Sequence, residues 1–186
     1  MNLILAGVSH KTAPLEVRER FAFSEQGVSG ALRRLQAEPE IEEAAIISTC
    51  NRVEFILESQ ENQDGLGALR RFLESSLEIR YDEYAHCFYV HRDYEAVRHL
   101  FRVASSLDSM VVGETEITGQ VKNAYQAAQT ARSACPARHV LHELEQRRVV
   151  KAAVAPGCRR RPGRPPPRAA VPGRDGGCSP PRRILP

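Results

Sequence analysis

Apolar residues run unbroken from Leu3 to Val8 and then give way to Ser9-His10-Lys11-Thr12. A short apolar run with a polar exit predicts a buried strand and the loop that leaves it. Pro14 suits a first helical position and predicts a short helix over Leu15 to Phe21. Ser24 is placed to cap a second helix, with Val28, Ala31, Leu32 and Leu35 on one face. Pro39 ends it. Ile41 to Thr49 and Val53 to Leu57 read as two strands joined at a corner that holds Cys50, and Asn62 to Gly67 as a loop. Ala68 to Leu77 predicts a helix with Leu69, Phe72, Leu73 and Leu77 inward, and Cys87 to Val90 a short strand. Asp93 is expected to cap a helix reaching about Leu107, with Val97, Leu100, Phe101, Ala104 and Leu107 on its inner face. A further helix spans roughly Ile117 to Ser133; Pro136 interrupts, and Val140 to Val154 again has helical character.

Strand, helix, strand, strand, helix, strand, helix is the order of an α+β fold: a βαββαβ-type antiparallel sheet with helices on one side. A further helix and a Pro/Arg-rich tail follow. No internal repeat is visible.

The tail changes the meaning of the overall charge. The net +3 of the chain divides into −5 over residues 1–150 and +8 over 151–186, where Lys151 and eight arginines face only Asp175. Whole-chain basicity is therefore no argument for nucleic-acid binding by the folded part. Nine of the twelve prolines also fall in 151–186, and residues 156–186 have no apolar periodicity. Such a segment cannot repay its ordering entropy by burial and is expected to be disordered. An RNA-binding role for it ranks last, because it lacks aromatic residues to stack on bases. No apolar run is long enough for a membrane helix, and no secretory signal is visible. The five cysteines are an odd number without a Cys-x-x-Cys pair, which points to reduced thiols in a cytoplasmic protein.

Candidate chemistry concentrates at Ser48-Thr49-Cys50-Asn51-Arg52-Val53-Glu54. A cysteine on a turn is accessible, and the cation two residues on favours the thiolate, which is the nucleophilic form. Thr49 and Asn51 add hydrogen-bonding groups. The alternative is a polar turn with a half-buried thiol and Arg52 paired to Glu54.

Three segments carry a family resemblance. They are Gly7-Val8-Ser9-His10-Lys11-Thr12-Ala13-Pro14 with Val17-Arg18-Glu19, then Ser48 to Glu54, then His99-Leu100-Phe101-Arg102-Val103-Ala104 through Leu107-Asp108-Ser109-Met110 to Gly113-Glu114 and Gly119-Gln120-Val121-Lys122. In this order and spacing the chain resembles the amino-terminal catalytic domain of glutamyl-tRNA reductases, which are much longer. The resemblance implies the same fold over residues 1–144. It implies that Cys50 attacks the ester joining glutamate to tRNA(Glu), and that NADPH bound in a separate domain reduces the thioester to glutamate-1-semialdehyde for tetrapyrrole synthesis. By the same resemblance His99 is a catalytic candidate. Thr49, Asn51, Arg52, Ser109, Glu114, Thr115, Glu116 and Gln120 are substrate-binding candidates, with Arg52 gripping a carboxylate. For the acidic residues the alternative is a solvated loop and a helix start, where acids are favourable anyway. The chain departs from the family pattern at Glu116, where Gln is expected, at Thr118, where an aliphatic residue is usual, and at Ser106, where Gly is usual.

The family-like sequence stops near Leu144, which makes residues 145–155 a truncated connecting helix and residues 156–186 a tail best explained as a reading-frame error. Family enzymes are homodimers, but their dimerising helices and any NADPH site are expected to be missing here. Gly65-Leu66-Gly67 lacks the third glycine of a dinucleotide fingerprint, with Arg70 in its place. Cys135, His139 and His142 have metal-like spacing but lack a fourth ligand, and Pro136 breaks the helix between them. His86-Cys87 reads as a strand entry. Two functions follow as expectations: partial acyl-transfer or esterase chemistry through Cys50, or a non-catalytic protein that binds glutamyl-tRNA or a family partner.

Overall fold

The computed structural model describes residues 2–60, 63–110 and 116–134. Four strands, β1 (Leu3–Ser9), β2 (Ile41–Ser48), β3 (Arg52–Ser59) and β4 (Tyr89–Arg92), form one sheet in the order β2-β3-β1-β4. Every pairing is antiparallel. The helices are α1 (Leu15–Phe21), α2 (Glu25–Gln36), α3 (Gly65–Leu77), α4 (Tyr81–Tyr84), α5 (Asp93–Ala104) and α6 (Glu116–Ala131). The expected α+β architecture is present, with α4 added.

All seven residues of β1 are buried. Successive side chains of a strand point to opposite faces, so both faces of the sheet are covered, not one. The register assigns the faces. Gly7 pairs with Glu54 and Tyr89, Leu5 with His91, and Ile47 with Glu54. Directly opposed residues share a face. Arg52, Glu54, Tyr89 and His91 therefore line one face, against α5. The other face carries Val53 and Phe55, where Phe55 meets Phe23 and Phe72 of α3 ring to ring.

Local signals explain most element ends. Ser24 accepts from Gly27 N (3.1 Å) at the start of α2, as expected. Asp64 does the same for α3 through Gly67 N (2.9 Å), so this helix begins at Gly65, inside the expected loop. Asp93 does not cap α5. Its φ is +44°, and its carboxylate accepts instead from Leu3 N (3.2 Å), tying the helix start to β1. That helix ends at Ala104, and Ser106 turns the chain with φ +57°. Leu107 is consequently 58% exposed, not on the inner face. Residues Ala85–Cys87 form a 3-10 turn, and β4 starts only at Tyr89. The expected helix over Val140 to Val154, the trio Cys135, His139 and His142, and the basic tail lie outside the described residues.

Candidate active site

Strands β2 and β3 meet in a two-residue turn. Thr49 N donates to Arg52 O (2.9 Å), leaving Cys50 and Asn51 at the tip. The Thr49 hydroxyl oxygen accepts from Asn51 N (3.2 Å) and Arg52 N (3.1 Å). Its side chain thus does for the turn what Ser and Thr do at helix starts. His10 N donates to Asn51 O (2.8 Å). Arg18, from α1, donates through Nε to Cys50 O (3.3 Å) and through Nη1 to Ala13 O (2.8 Å). The peptide group that follows Cys50 is therefore held at both its carbonyl and its N–H, while Cys50 itself is exposed.

Arg52 points under the sheet. Its guanidinium is 1% exposed and donates to Glu54 Oε1 (2.8 Å), to Asp108 O, and to Asp108 Oδ2 (3.2 Å). Paired to Glu54, it takes the arrangement that the sequence leaves open as an alternative. Glu54 is fully buried and gathers three donors on Oε1: Arg52, Tyr89 Oη (2.5 Å) and His99 Nε2 (2.8 Å). His99 in turn stacks on His91 at 4.7 Å between ring centroids and tilts against Tyr89. Asp108 also takes Lys11 Nζ.

The electrostatics follow from this layout. Burial alone would push the Glu54 carboxyl up, but the His99 hydrogen bond and the Arg52 charge outweigh it and hold it below its ordinary value. Burial likewise opposes ionisation of Asp108, and Lys11 and Arg52 overcome it. Tyr89 is pushed up by burial and by the Glu54 charge, so its hydroxyl stays a donor. Burial lowers His91, with the neighbouring His99 adding to it. Burial lowers His10 too, followed by the cations Arg52 and Lys11.

The expected site residues separate into groups. Cys50, Thr49 and Asn51 share the turn, and Arg52 and His99 meet through Glu54. Ser109 is half-buried next to Asp108 in the chain. Glu116 is exposed at the start of α6, where Gln120 Nε2 donates to it (3.4 Å). Gln120 lines a cavity of about 310 Å³ with Phe23, Val28, Ile46 and Ser48. Ile46 and Ser48 belong to the sheet face opposite Arg52 and Glu54. Glu114 and Thr115 lie outside the described residues. Two departures from the family pattern have a local account: Ser106 has the positive φ that favours glycine, and the Thr118 hydroxyl donates to Ala104 O (3.1 Å).

Sequence reasoning passes over Glu54 as a hub, together with Asp108, Tyr89, His91, Lys11 and Arg18. One signal was available. Arg52 and Glu54 alternate in an otherwise apolar strand, and charges buried on one face need partners.

The family model described as Glutamyl-tRNAGlu reductase, N-terminal domain, matches residues 6–154. That reaches past Leu144 into the stretch assigned to the connecting helix. A glutamyl-tRNA reductase of Syntrophotalea carbinolica is 45% identical over 152 residues, which are 82% of this chain and 34% of the relative. Glutamyl-tRNA reductase 2 of Koribacter versatilis is 52% identical over 128 residues, 69% of this chain and 29% of that one. The solved glutamyl-tRNA reductase from Methanopyrus kandleri superposes with a TM-score of 0.60 at 31% identity, covering 81% of this chain and 33% of its own. The chain spans about a third of the length of the curated relatives it matches.

Proposed function

The chain belongs to the glutamyl-tRNA reductase family, and from that premise we propose that it carries the acyl-accepting half of glutamyl-tRNA reduction. The sulfur of Cys50 bonds to the carbonyl carbon of the ester between glutamate and the tRNA 3′ ribose. The ester C–O bond breaks, the ribose oxygen leaves with a proton, and a glutamyl thioester remains. The observation that carries this reading is the exposed thiol on a turn in which the peptide group following the cysteine is already held. Little reorganisation then separates the resting state from attack.

Arg52 is proposed as the receptor of a substrate carboxylate. Glu54 and Asp108 hold its guanidinium, so a carboxylate reaches it by displacing Asp108, the less buried of the two, at 11% side-chain exposure against 0%. His99 is proposed to act through Glu54, which it bonds directly, and so to steady Arg52. Ser109, Glu116 and Gln120 remain candidates for the rest of the glutamyl group.

NADPH supplies hydride in the complete reaction that we propose for a protein containing this domain, giving glutamate-1-semialdehyde for tetrapyrrole synthesis. The described residues do not fit that cofactor. The glycines at the start of α3 follow an antiparallel strand, and the Asp64 carboxylate already occupies the helix amino terminus. The chemistry that we propose for the described residues is formation of the thioester, which water resolves to free glutamate.

The test is release of glutamate from labelled glutamyl-tRNA without NADPH, with Cys50→Ala as the comparison. Loss in the variant is expected. Equal release from both would refute the reading, and retention of charged tRNA without turnover would favour a binding-only protein.

A further inference from the structure

We propose that Arg18 is a positioning residue for Cys50. The inference rests on the thioester reading above and adds to it the residue that sets how the thiol is presented.

The guanidinium of Arg18 bridges two carbonyls from separate parts of the chain. Nε holds Cys50 O at the tip of the hairpin, and Nη1 holds Ala13 O at the end of the loop leaving β1. The Ala13 end is itself fixed. Thr12 N and Ala13 N both donate to Ser9 O (2.9 Å each), Ser9 N donates to the Thr12 hydroxyl oxygen (3.1 Å), and Ala13 is 5% exposed. Arg18 N donates to Pro14 O (3.1 Å), which anchors the base of the side chain to the same segment. The hairpin tip is thus clamped to a rigid corner through one planar fork.

Direction matters because Cys50 sits at the first central position of a two-residue turn. The same backbone dihedrals that aim its carbonyl also aim its Cα–Cβ bond. Holding the carbonyl holds the direction of the Cα–Cβ bond, which leaves the sulfur only the staggered positions about that bond. Thr49 holds the N–H edge of the peptide that follows Cys50, and Arg18 holds its carbonyl edge, so the plane is fixed from both sides. Arg52 does not share this task, since its guanidinium is turned toward Glu54 and Asp108. A lysine at position 18 keeps the charge but not the fork, and cannot bridge both carbonyls in the same geometry.

The experiment follows Cys50 acylation in a single turnover of the 186-residue chain with labelled glutamyl-tRNA, with Cys50 identified by peptide mass spectrometry. In Arg18→Ala the acylation rate is expected to fall roughly 10- to 100-fold, with binding of glutamyl-tRNA within about twofold of the parent. Millimolar guanidinium chloride is expected to restore much of the loss. Arg18→Lys is expected to remain slow, and it replaces Arg18→Ala should the latter melt below the assay temperature. Acylation at the parent rate in both Arg18 variants overturns the inference and leaves the thioester reading standing. A slow Arg18→Ala that guanidinium does not rescue, or weakened tRNA binding in either variant, also overturns it. Failure of the parent chain to acylate at Cys50 removes the thioester reading itself, and this inference with it.

Discussion

Gly7 lies against Glu54 so closely that a methyl group added at residue 7 would stand 2.9 Å from Glu54 Cα and 3.0 Å from its Cγ, with Val53 O closer still. The two residues pair across β1 and β3. The glycine therefore leaves room on the sheet for the buried carboxylate that gathers Arg52, Tyr89 and His99. Gly7→Ala forces backbone apart where three strands run together. A loss of about 1–3 kcal/mol or more is expected, read from urea unfolding. A melting profile equal to that of the parent would show that β1 and β3 can separate freely at this point.

Removing charge from the hub is a sharper test of the pair. Arg52 and Glu54 are both almost fully buried. Glu54→Gln leaves the guanidinium, among the described residues, with Asp108 as its counter-charge, and a cost of roughly 3–5 kcal/mol is expected. Replacing both partners with apolar residues, as in Arg52→Met with Glu54→Leu, is expected to cost much less, because no charge is then stranded. A double variant as unstable as the single one would contradict this account.

Acid is expected to weaken the domain in two stages. Glu54 and Asp108 are held below their ordinary values of 4.5 and 3.8, and His10 and His91 below 6.5. In all four cases the unfolded chain binds more protons than the folded one between the two values, so stability rises with pH there. The histidine contributions are complete above about pH 6.5 and fade as pH falls through the lowered folded values. The carboxylate contributions begin to fade below about pH 4.5. Chemical denaturation across pH 3–8 is expected to show midpoints that decline toward acid in both windows. His91→Phe should flatten the upper one, and an unchanged upper window would remove His91 from the explanation.

Glu78 follows α3 with φ +54° and is exposed. A side chain in that left-handed position is strained, and glycine is the residue that usually closes a helix there. Glu78→Gly is expected to stabilise the chain by about 0.5–1 kcal/mol, visible as a higher melting temperature. Destabilisation would mean that the Glu78 side chain makes a contribution larger than its backbone strain.

The hairpin around Cys50 is legible in the sequence because two apolar runs bracket a short polar stretch. The helix faces of α2 and α3 are legible for the same reason of period. What stays hidden is long-range partnership. Asp108 meets Arg52 across 56 positions and His99 meets Glu54 across 45, and no local pattern encodes either meeting. The sidedness of the sheet is misjudged because helices that follow the last strand in sequence still fold back to cover it. The end of α5 is misjudged because Leu107 fits the helical period, while the left-handed turn at Ser106 stops the helix before that residue can be used. Asp93 looks like a cap and serves as a tether, since capping and cross-strand bonding draw on the same carboxylate chemistry.

The thiol rides on the tip of a hairpin whose two arms are matched residue for residue from Ser48–Val53 back to Glu43–Glu58. Its address is thus written by counting. A single inserted or deleted residue within either arm, however conservative, would swing Arg52 and Glu54 to the aromatic side of the sheet or carry Cys50 off the apex. Along this ribbon the placement of the thiol depends on the number of residues as much as on their identity.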